Sequence, residues 1–541
     1  MKPYLVTPEI IEEYLTAGHW SRETMVERYA TYARDYPNEC ACRDTTEELN
    51  WDELDTISSH IAACFVELGI SRDATALVQM PSNCREIVLR VAFKRAGIIG
   101  VFVPLQWRRK ELDYVVRRVE PEITVISAEH IDTDARQCIE EASDDHLRVN
   151  IGSTQESGWT PWQDMLDGRP RQNSFENLAE RQFKFDEISL ITASSGTSGL
   201  AKLCEWPEGA QLCQSQVLCE RMEITGEDRV GIFAPTAGAA GLMMWMISWT
   251  VPCCCYFPET YRAPALLDLV ERCGITVGST VPVILVRLTQ EPLESRNLSS
   301  LRLMRVGTAA TDMSTAISFE DRSGCRIVIA SGSMECTGFG HAHVNESKEL
   351  RLNGSVGLPL KGCRLQIEDG DGNVLPPGEI GELKVTAPFS SSGYWKDPDT
   401  TAQVWSNGWY ATGDVGILDD NGRLTLKGRL KDTINRSGHK ILPPELEHEI
   451  SRLPEVIECS VVSGPDREYG QVPWAFIQMR KGFALDHENV VDALQRSGLA
   501  SYKMPTRFFE VTDFPRINDS KIDKPALLEL GLKSSNAEGD L

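Results

Sequence analysis

Residues 74–127 read "ATALVQMPSNCREIVLRVAFKRAGIIGVFVPLQWRRKELDYVVRRVEPEITVIS", and their alternation decides the architecture of this part of the chain. The runs "ATALVQM", "IIGVFVPL" and "EITVIS" are short and mostly apolar, as strands buried on both faces are. Between them, "CREIVLRVAFKRAG" and "RKELDYVVRRV" carry apolar residues at helical spacing. The simplest parse is strand, helix, strand, helix, strand. Connections of helix length join parallel strands, so a parallel sheet with crossover helices is expected.

The same alternation resumes beyond a polar stretch from Ser143 to Asp186, through "VGIFAP", "CCCYFP", "ITVGSTVP", "LRLMRVG" and "CRIVIASG". A second α/β lobe follows from it. After about Asn353 the pattern changes, and "GCRLQIEDGDGNVLPPGEIGELKVTAP" breaks short alternating runs with Asp-Gly and Pro-Gly pairs, as hairpins do. From Leu430 onward helix ("PPELEHEISRL", "HENVVDALQRSG") and strand ("VIECSVVSG", "PWAFIQMR") mix. The expected fold is α/β: a large N-terminal domain, residues 1–430, of two α/β lobes plus a β-barrel-like subdomain, then a small α+β C-terminal domain, residues 431–541. "SSNAEGDL" at the end reads as a frayed tail.

Composition narrows the function. At 541 residues, with 41% hydrophobic and 25% charged side chains, the chain is an ordinary globular protein of more than one domain. Its formal charge of -24 excludes nucleic acid or an anionic membrane as the main partner, since both would be repelled. Sixteen cysteines in so long a chain are too sparse for a secreted disulfide scaffold, and reduced thiols are expected. The runs Cys40 to Cys42 and Cys253 to Cys255 lack the paired spacing of a zinc site and read as small buried hydrophobes. The N-terminus has acidic residues where a signal peptide needs an apolar core, and no apolar run reaches membrane-spanning length; a cytoplasmic protein without stable membrane insertion is expected.

One segment stands out chemically. "TASSGTSGLAK", Thr192 to Lys202, follows an apolar run with small hydroxylated residues, two glycines and a closing lysine. Such a loop turns backbone N–H groups toward an anion, and the lysine adds a fixed positive charge, so phosphate is the natural ligand. Taken alone it reads equally well as a surface linker. It is not a Walker A loop, because Lys202 follows Ala201 and no Ser or Thr comes next.

Distant stretches decide between the two. "SSGTSGLAK", "ASGSMECTG", "NGSVGLPLKG", "PPGEIGELKV", "SSGYWKDPDTT", "NGWYATGDVGILDDNGRLTLKGRLKDTINRSGHKILPPELE" and "LASYKMPTRFFEVTDFPRINDSKIDKPAL" occur in this order. Together they resemble the acyl-adenylate-forming superfamily: acyl-CoA and aryl-CoA synthetases, peptide-synthetase adenylation domains and luciferases. "GRLKDTINRSGHK", "SKIDKPAL" and the N-terminal "YLTAGHWSRETMVERYATYARDYPN" look most like stand-alone aryl-acid adenylating enzymes of the 2,3-dihydroxybenzoate type.

The resemblance implies two half-reactions, adenylation of an acid by ATP and displacement of AMP by a thiol. It also implies residue roles. Ser195, Gly196, Thr197, Ser198 and Gly199, with Lys202 behind them, would hold the ATP phosphates; Glu335, with Thr197, would hold Mg²⁺. Ser331 falls at the adenine position, Asp414 would receive the ribose hydroxyls, and Arg429 would reach the ribose or phosphate. Lys521 would bridge the attacking carboxylate and the α-phosphate, a task that suits a point charge on a flexible stem. Lys524, three residues on, is the residue most easily mistaken for it. Lys431 takes the hinge position about which the small domain would rotate, bringing the loop of Gly438 and the basic Lys440 to the site for coenzyme A.

Departures qualify this match, among them Ala201 in place of a Pro in the phosphate-loop motif. Ser331 replaces an aromatic ring along the adenine, Met334 replaces a Thr or Ala, and Ser520 replaces the Gly before Lys521. In "APTAGAAGLMMWM" the His-Asn-aromatic run that reads an ortho hydroxyl in dihydroxybenzoate enzymes is Gly238, Ala239 and Ala240. With Gly241 and Gly307 these residues would leave room for a bulkier or more apolar acid, or else are the tight packing of a buried helix. The expected function is an ATP- and Mg²⁺-dependent acid–thiol ligase acting on a small carboxylic acid, with CoA as acceptor. The alternatives are an aryl-acid AMP ligase that loads a separate pantetheinylated carrier protein and a catalytically degenerate nucleotide-binding homologue. Assembly as a homodimer is left open.

Overall fold

The protein is described from a computed structural model that covers the chain except residues 4, 143–145, 155, 195–200, 518–520 and 539–541. It divides into two compact units. The larger comprises Met1–Leu365 and Val385–Tyr410, the smaller Gln366–Lys384 and Ala411–Leu541.

The expected two lobes are two sheets of the larger unit. One has seven strands in the order Thr160–Pro161, Leu147–Asn150, Ile123–Ile126, Thr75–Gln79, Ile99–Phe102, Ile188–Ser194 and Lys202–Pro207. All but the last pairing are parallel; Ile188–Ser194 and Lys202–Pro207 run antiparallel. The other has eight strands in the order Gly340–His341, Arg326–Ser331, Leu303–Val306, Val277–Thr280, Arg229–Ile232, Cys254–Tyr256, Cys40–Arg43 and Glu48–Asn50, parallel except at its two ends. Strand Thr75–Gln79 is buried at every residue, which accounts for its unbroken apolar run.

Local chemistry places the helices. Met25–Asp35 opens on a capping box between Thr24 and Glu27. Cys84–Ala96 is capped by Asn83, which accepts from Glu86 N, and stops at Gly97, whose φ of 70° is left-handed. That helix is buried almost all round, charged residues included. Each buried charge has a partner: Arg90 donates to Glu86 at 2.7 Å, Lys94 pairs with Glu208, and Arg95 with Asp55.

The antiparallel region contains a five-stranded sheet of Arg364–Glu368, Gly381–Thr386, Trp409–Leu418 and Trp405–Ser406 in that order, with Leu424–Arg429 beside Trp409–Leu418. Within the smaller unit Thr412 Oγ1 donates to Leu383 O at 2.9 Å and Gly378 N to Leu418 O at 2.8 Å, tying 366–384 to the start of the C-terminal part. That part is α+β as expected. A five-stranded sheet covers an apolar cluster of Ile434, Leu446, Ile450, Val461, Ala475 and Leu494, and a second cluster gathers around Trp474 and Leu527.

Two expectations need correction. The stretch "SSNAEGDL" is not a tail from its first residue, because helix Lys524–Glu538 runs through most of it. Nor are all the thiols reduced: Cys40 and Cys254 form a disulfide. Parallel pairing of Cys40–Arg43 with Cys254–Tyr256 brings their Cα atoms to 5.3 Å, a separation that sequence spacing does not reveal. Cys42, Cys253 and Cys255 are free and buried, as read.

Candidate active site

The segment expected to bind phosphate connects Ile188–Ser194 and Lys202–Pro207. Ser194 and Lys202 are cross-strand partners, so the two strands clamp the ends of the segment between them. Ser195, Gly196, Thr197, Ser198 and Gly199 lie outside the described residues. Lys202 is described. Its Nζ lies 3.4 Å from Tyr394 Oη and 5.0 Å from the centre of that ring.

Tyr394 is the residue that joins the site. Its hydroxyl donates to Glu335 Oε1 at 2.8 Å, so one side chain links the lysine of the loop to the acidic residue of "GSMEC". Backbone pairing fixes it there. Glu205 N donates to Gly393 O at 3.0 Å, Trp395 N to Leu203 O at 2.7 Å and Ser391 N to Glu335 O at 2.8 Å, laying "SSGYW" across both elements. Burial, and then the negative charge of Glu335, push the Tyr394 hydroxyl well above the ordinary phenol range, so it remains a donor. Trp405 packs edge-on to Tyr394 at 5.1 Å and against Tyr410 at 4.8 Å, which walls the site with aromatic rings.

The other positions expected in the larger unit fall at carboxyl ends of its eight-stranded sheet, where open α/β sheets bind ligands. Ser331 ends Arg326–Ser331, half-buried and paired with Gly340. Gly307 follows Leu303–Val306, and the next residue, Thr308, holds a φ of +77°, strained for a β-branched side chain. The stretch after Arg229–Ile232 divides between the two readings left open. Gly238 is exposed, and a Cβ there would meet only Pro235 O at 3.5 Å. Ala239 is half-buried and Ala240 buried. Gly241 is tight packing, since its Cβ would fall 2.1 Å from Ala234 O.

In the smaller unit Asp414 and Arg429 are cross-strand partners, with Arg429 Nε 2.7 Å from Asp414 Oδ1. Arg429 Nη1 also donates to Thr412 O at 3.2 Å, and Asp414 N to Thr412 Oγ1 at 3.0 Å. Lys431 lies exposed in the turn Leu430–Asp432. Gly438 sits between Ile434–Arg436 and His439–Ile441 with φ +92°, its N–H donating to Asn435 Oδ1 at 2.8 Å; Lys440 is exposed on the second strand. Lys521 is exposed and opens a two-residue strand paired with Arg516–Ile517. Lys524 donates to Glu447 Oε1 at 2.9 Å and to Val461 O at 3.1 Å, a tie within the smaller unit.

Sequence reasoning missed Tyr394, although its motif was in hand. It also missed Arg305, whose signal was a charge inside the apolar run "LRLMRVG".

Comparison with known proteins gives the family. Residues 29–395 match the AMP-binding enzyme family and residues 445–521 the AMP-binding enzyme C-terminal domain. The chain belongs to the AMP-binding enzyme family. It is 26% identical to a salicylyl-CoA synthase / salicylate adenylyltransferase of a Streptomyces species, over 96% of each chain. It is 25% identical to enterobactin synthase component E of Escherichia coli (strain K12), again over 96% of each. Its fold is that of the anthranilate CoA ligase AuaEII, solved in complex with anthranoyl-AMP: the TM-score is 0.87 at 22% identity, covering 95% of this chain and 98% of that one. Among the described residues no helix is long and apolar enough to cross a membrane.

Proposed function

We propose that the protein is an ATP-dependent ligase that converts a carboxylic acid, in the first instance an aryl acid, to its adenylate and transfers the acyl group to the thiol of coenzyme A. The observation that carries this reading is the Lys202, Tyr394, Glu335 constellation, with Lys202 closing the motif expected to bind phosphate. In the first half-reaction an oxygen of the acid forms a bond to the α-phosphorus and the bond to pyrophosphate breaks. In the second the thiol sulfur bonds to the acyl carbon, the acyl–oxygen bond breaks to release AMP, and the thiol proton passes to solvent.

Two anions must meet in the first step, so repulsion is the barrier the protein has to lower. Lys202 offsets the charge of the departing phosphates, and the hydroxyls of Thr197 and Ser198 donate hydrogen bonds to them. Glu335 fits a magnesium ion: it is a hard carboxylate, 6% exposed, with one oxygen already held by Tyr394. With Thr197 it would hold Mg²⁺, whose chemistry there is to offset phosphate charge. Tyr394 keeps the carboxylate oriented, Asp414 and Arg429 bind the ribose, and Lys521 follows the charge that develops between carboxylate and α-phosphate. The functional hinge is Lys431, so that residues 1–430 and 431–541 are the moving parts, and the Gly438 loop with Lys440 admits the pantetheine arm.

The test is to incubate the enzyme with ATP, Mg²⁺ and a panel of aryl and alkyl acids, offering CoA or a pantetheinylated carrier protein, and to detect thioesters by mass spectrometry. Acyl-CoA is expected. Acylation of the carrier alone would move the protein to the AMP ligases.

A further inference from the structure

Arg305 lies next to the carboxyl end of Leu303–Val306, the third strand of the eight-stranded sheet, and is 1% exposed. Nothing among the described residues balances its charge. Nη1 makes one hydrogen bond, to the neutral Ser279 Oγ at 3.3 Å, and the enclosed Nε has no partner. Among the described residues burial is the sole influence on the guanidinium and lowers it to about 10, with no carboxylate acting against it, so it remains charged near neutrality. The contrast within the same unit is sharp, because the buried Arg90, Lys94 and Arg95 each face an acid.

Register shows where the side chain points. Ile232, Ser279, Arg305 and Val328 are partners across four parallel strands and therefore share one face. Two residues further on, the same face carries Gly307, past the carboxyl end of the strand. A Cβ at Gly307 would lie 3.5 Å from Arg305 Nη1 and 2.7 Å from Ala330 O. The glycine thus keeps open the space at the tip of the guanidinium. His341, which pairs with Ala330, supplies no counter-charge: its Nδ1 donates to Ala342 O at 2.6 Å, and burial, then Arg305, hold it well below the ordinary histidine range.

A buried cation without an anion is costly, and a fold that keeps one at the ligand end of its sheet has a use for it. We propose that Arg305 is a specificity residue that selects acids bearing a second anionic group, a carboxylate distal to the one that is activated. This rests on the adenylating reading above and names the substrate class of that same site. A neutral acceptor would leave the charge unbalanced, whereas a second carboxylate satisfies both charge and donors.

The test is acid-dependent pyrophosphate exchange with benzoate, its 3- and 4-carboxylate derivatives and a saturated dicarboxylate, each diacid run beside its monomethyl ester. The diacid should exceed its monoester in kcat/KM by about tenfold or more. Arg305→Met should remove that preference, mostly through KM, leave turnover of the ester unchanged, and not lower Tm, because an apolar side chain of similar length relieves the buried charge. Should Arg305→Met fail to fold, the diacid-to-monoester ratio of the unaltered enzyme decides the question by itself. Monoacids exchanged as well as or better than diacids, or a preference that survives Arg305→Met, would overturn the proposal and leave the ligase reading standing. Exchange with no acid at all would overturn both.

Discussion

Removing one oxygen from Tyr394 tests the site most sharply at the residue scale. Tyr394→Phe leaves a buried carboxylate oxygen of Glu335 without its donor, which should cost about 1–3 kcal/mol of stability in denaturant unfolding and slow adenylation with it. An unchanged midpoint and rate would show that the 2.8 Å contact has no energetic weight. Lys202 and Glu335 were legible in the sequence because each sits in a compact motif. Tyr394 was not, since its tie to Lys202 spans 192 positions and depends on backbone pairing that no local pattern encodes. Lys521 was distinguished from Lys524 by motif position alone; Lys524 itself is held by Glu447.

Among elements, the helix Ala239–Met246 and the strand Arg229–Ile232 before it carry the clearest predictions. Gly241→Ala forces a methyl group against the backbone at Ala234 and should destabilise by about 3 kcal/mol, at the upper end of overpacking costs. Gly238→Ala meets only ordinary contact and should leave the unfolding midpoint near that of the parent while altering acid selectivity. The reverse order of effects would contradict this division.

Asp228, just ahead of the strand, predicts the acid limb of stability. Burial alone would raise its carboxyl, but hydrogen bonds from Arg302, Thr225 N and Thr276 Oγ1 outweigh burial and hold it below the usual range. A depressed folded value adds stability that is complete above the unfolded value, near 3.9, and is lost as pH falls through the folded one. Asp228→Asn should therefore cost about 1 kcal/mol at pH 7, discounted because Arg302 is 37% exposed, and progressively less below pH 4. Chemical unfolding across pH checks it; a cost independent of pH would refute it. The strands themselves were easy to read, since an unbroken apolar run has few other fates in a chain of this composition. The disulfide of Cys40 with Cys254 was not, because it joins positions 214 residues apart.

For the whole molecule, the two-part organisation was visible in the change of pattern after Asn353 and again at Leu430. The compact units separate at 410/411 and exchange 366–384, because hairpins pair according to hydrogen bonds and not chain order. If Lys521 serves only the first half-reaction, Lys521→Ala should reduce adenylate formation by about a hundredfold or more while sparing thioester formation from a supplied acyl-adenylate. Equal loss in both steps would count against the alternation of parts about Lys431.

The proposed chemistry requires a carboxylic acid to be activated at the α-phosphate of ATP. Acid-dependent exchange of labelled pyrophosphate into ATP measures that step alone, without any thiol. At least one aryl or dicarboxylic acid should drive exchange that requires Mg²⁺ and disappears with Lys521→Ala; a folded protein that exchanges no label with any acid of a broad panel would contradict it.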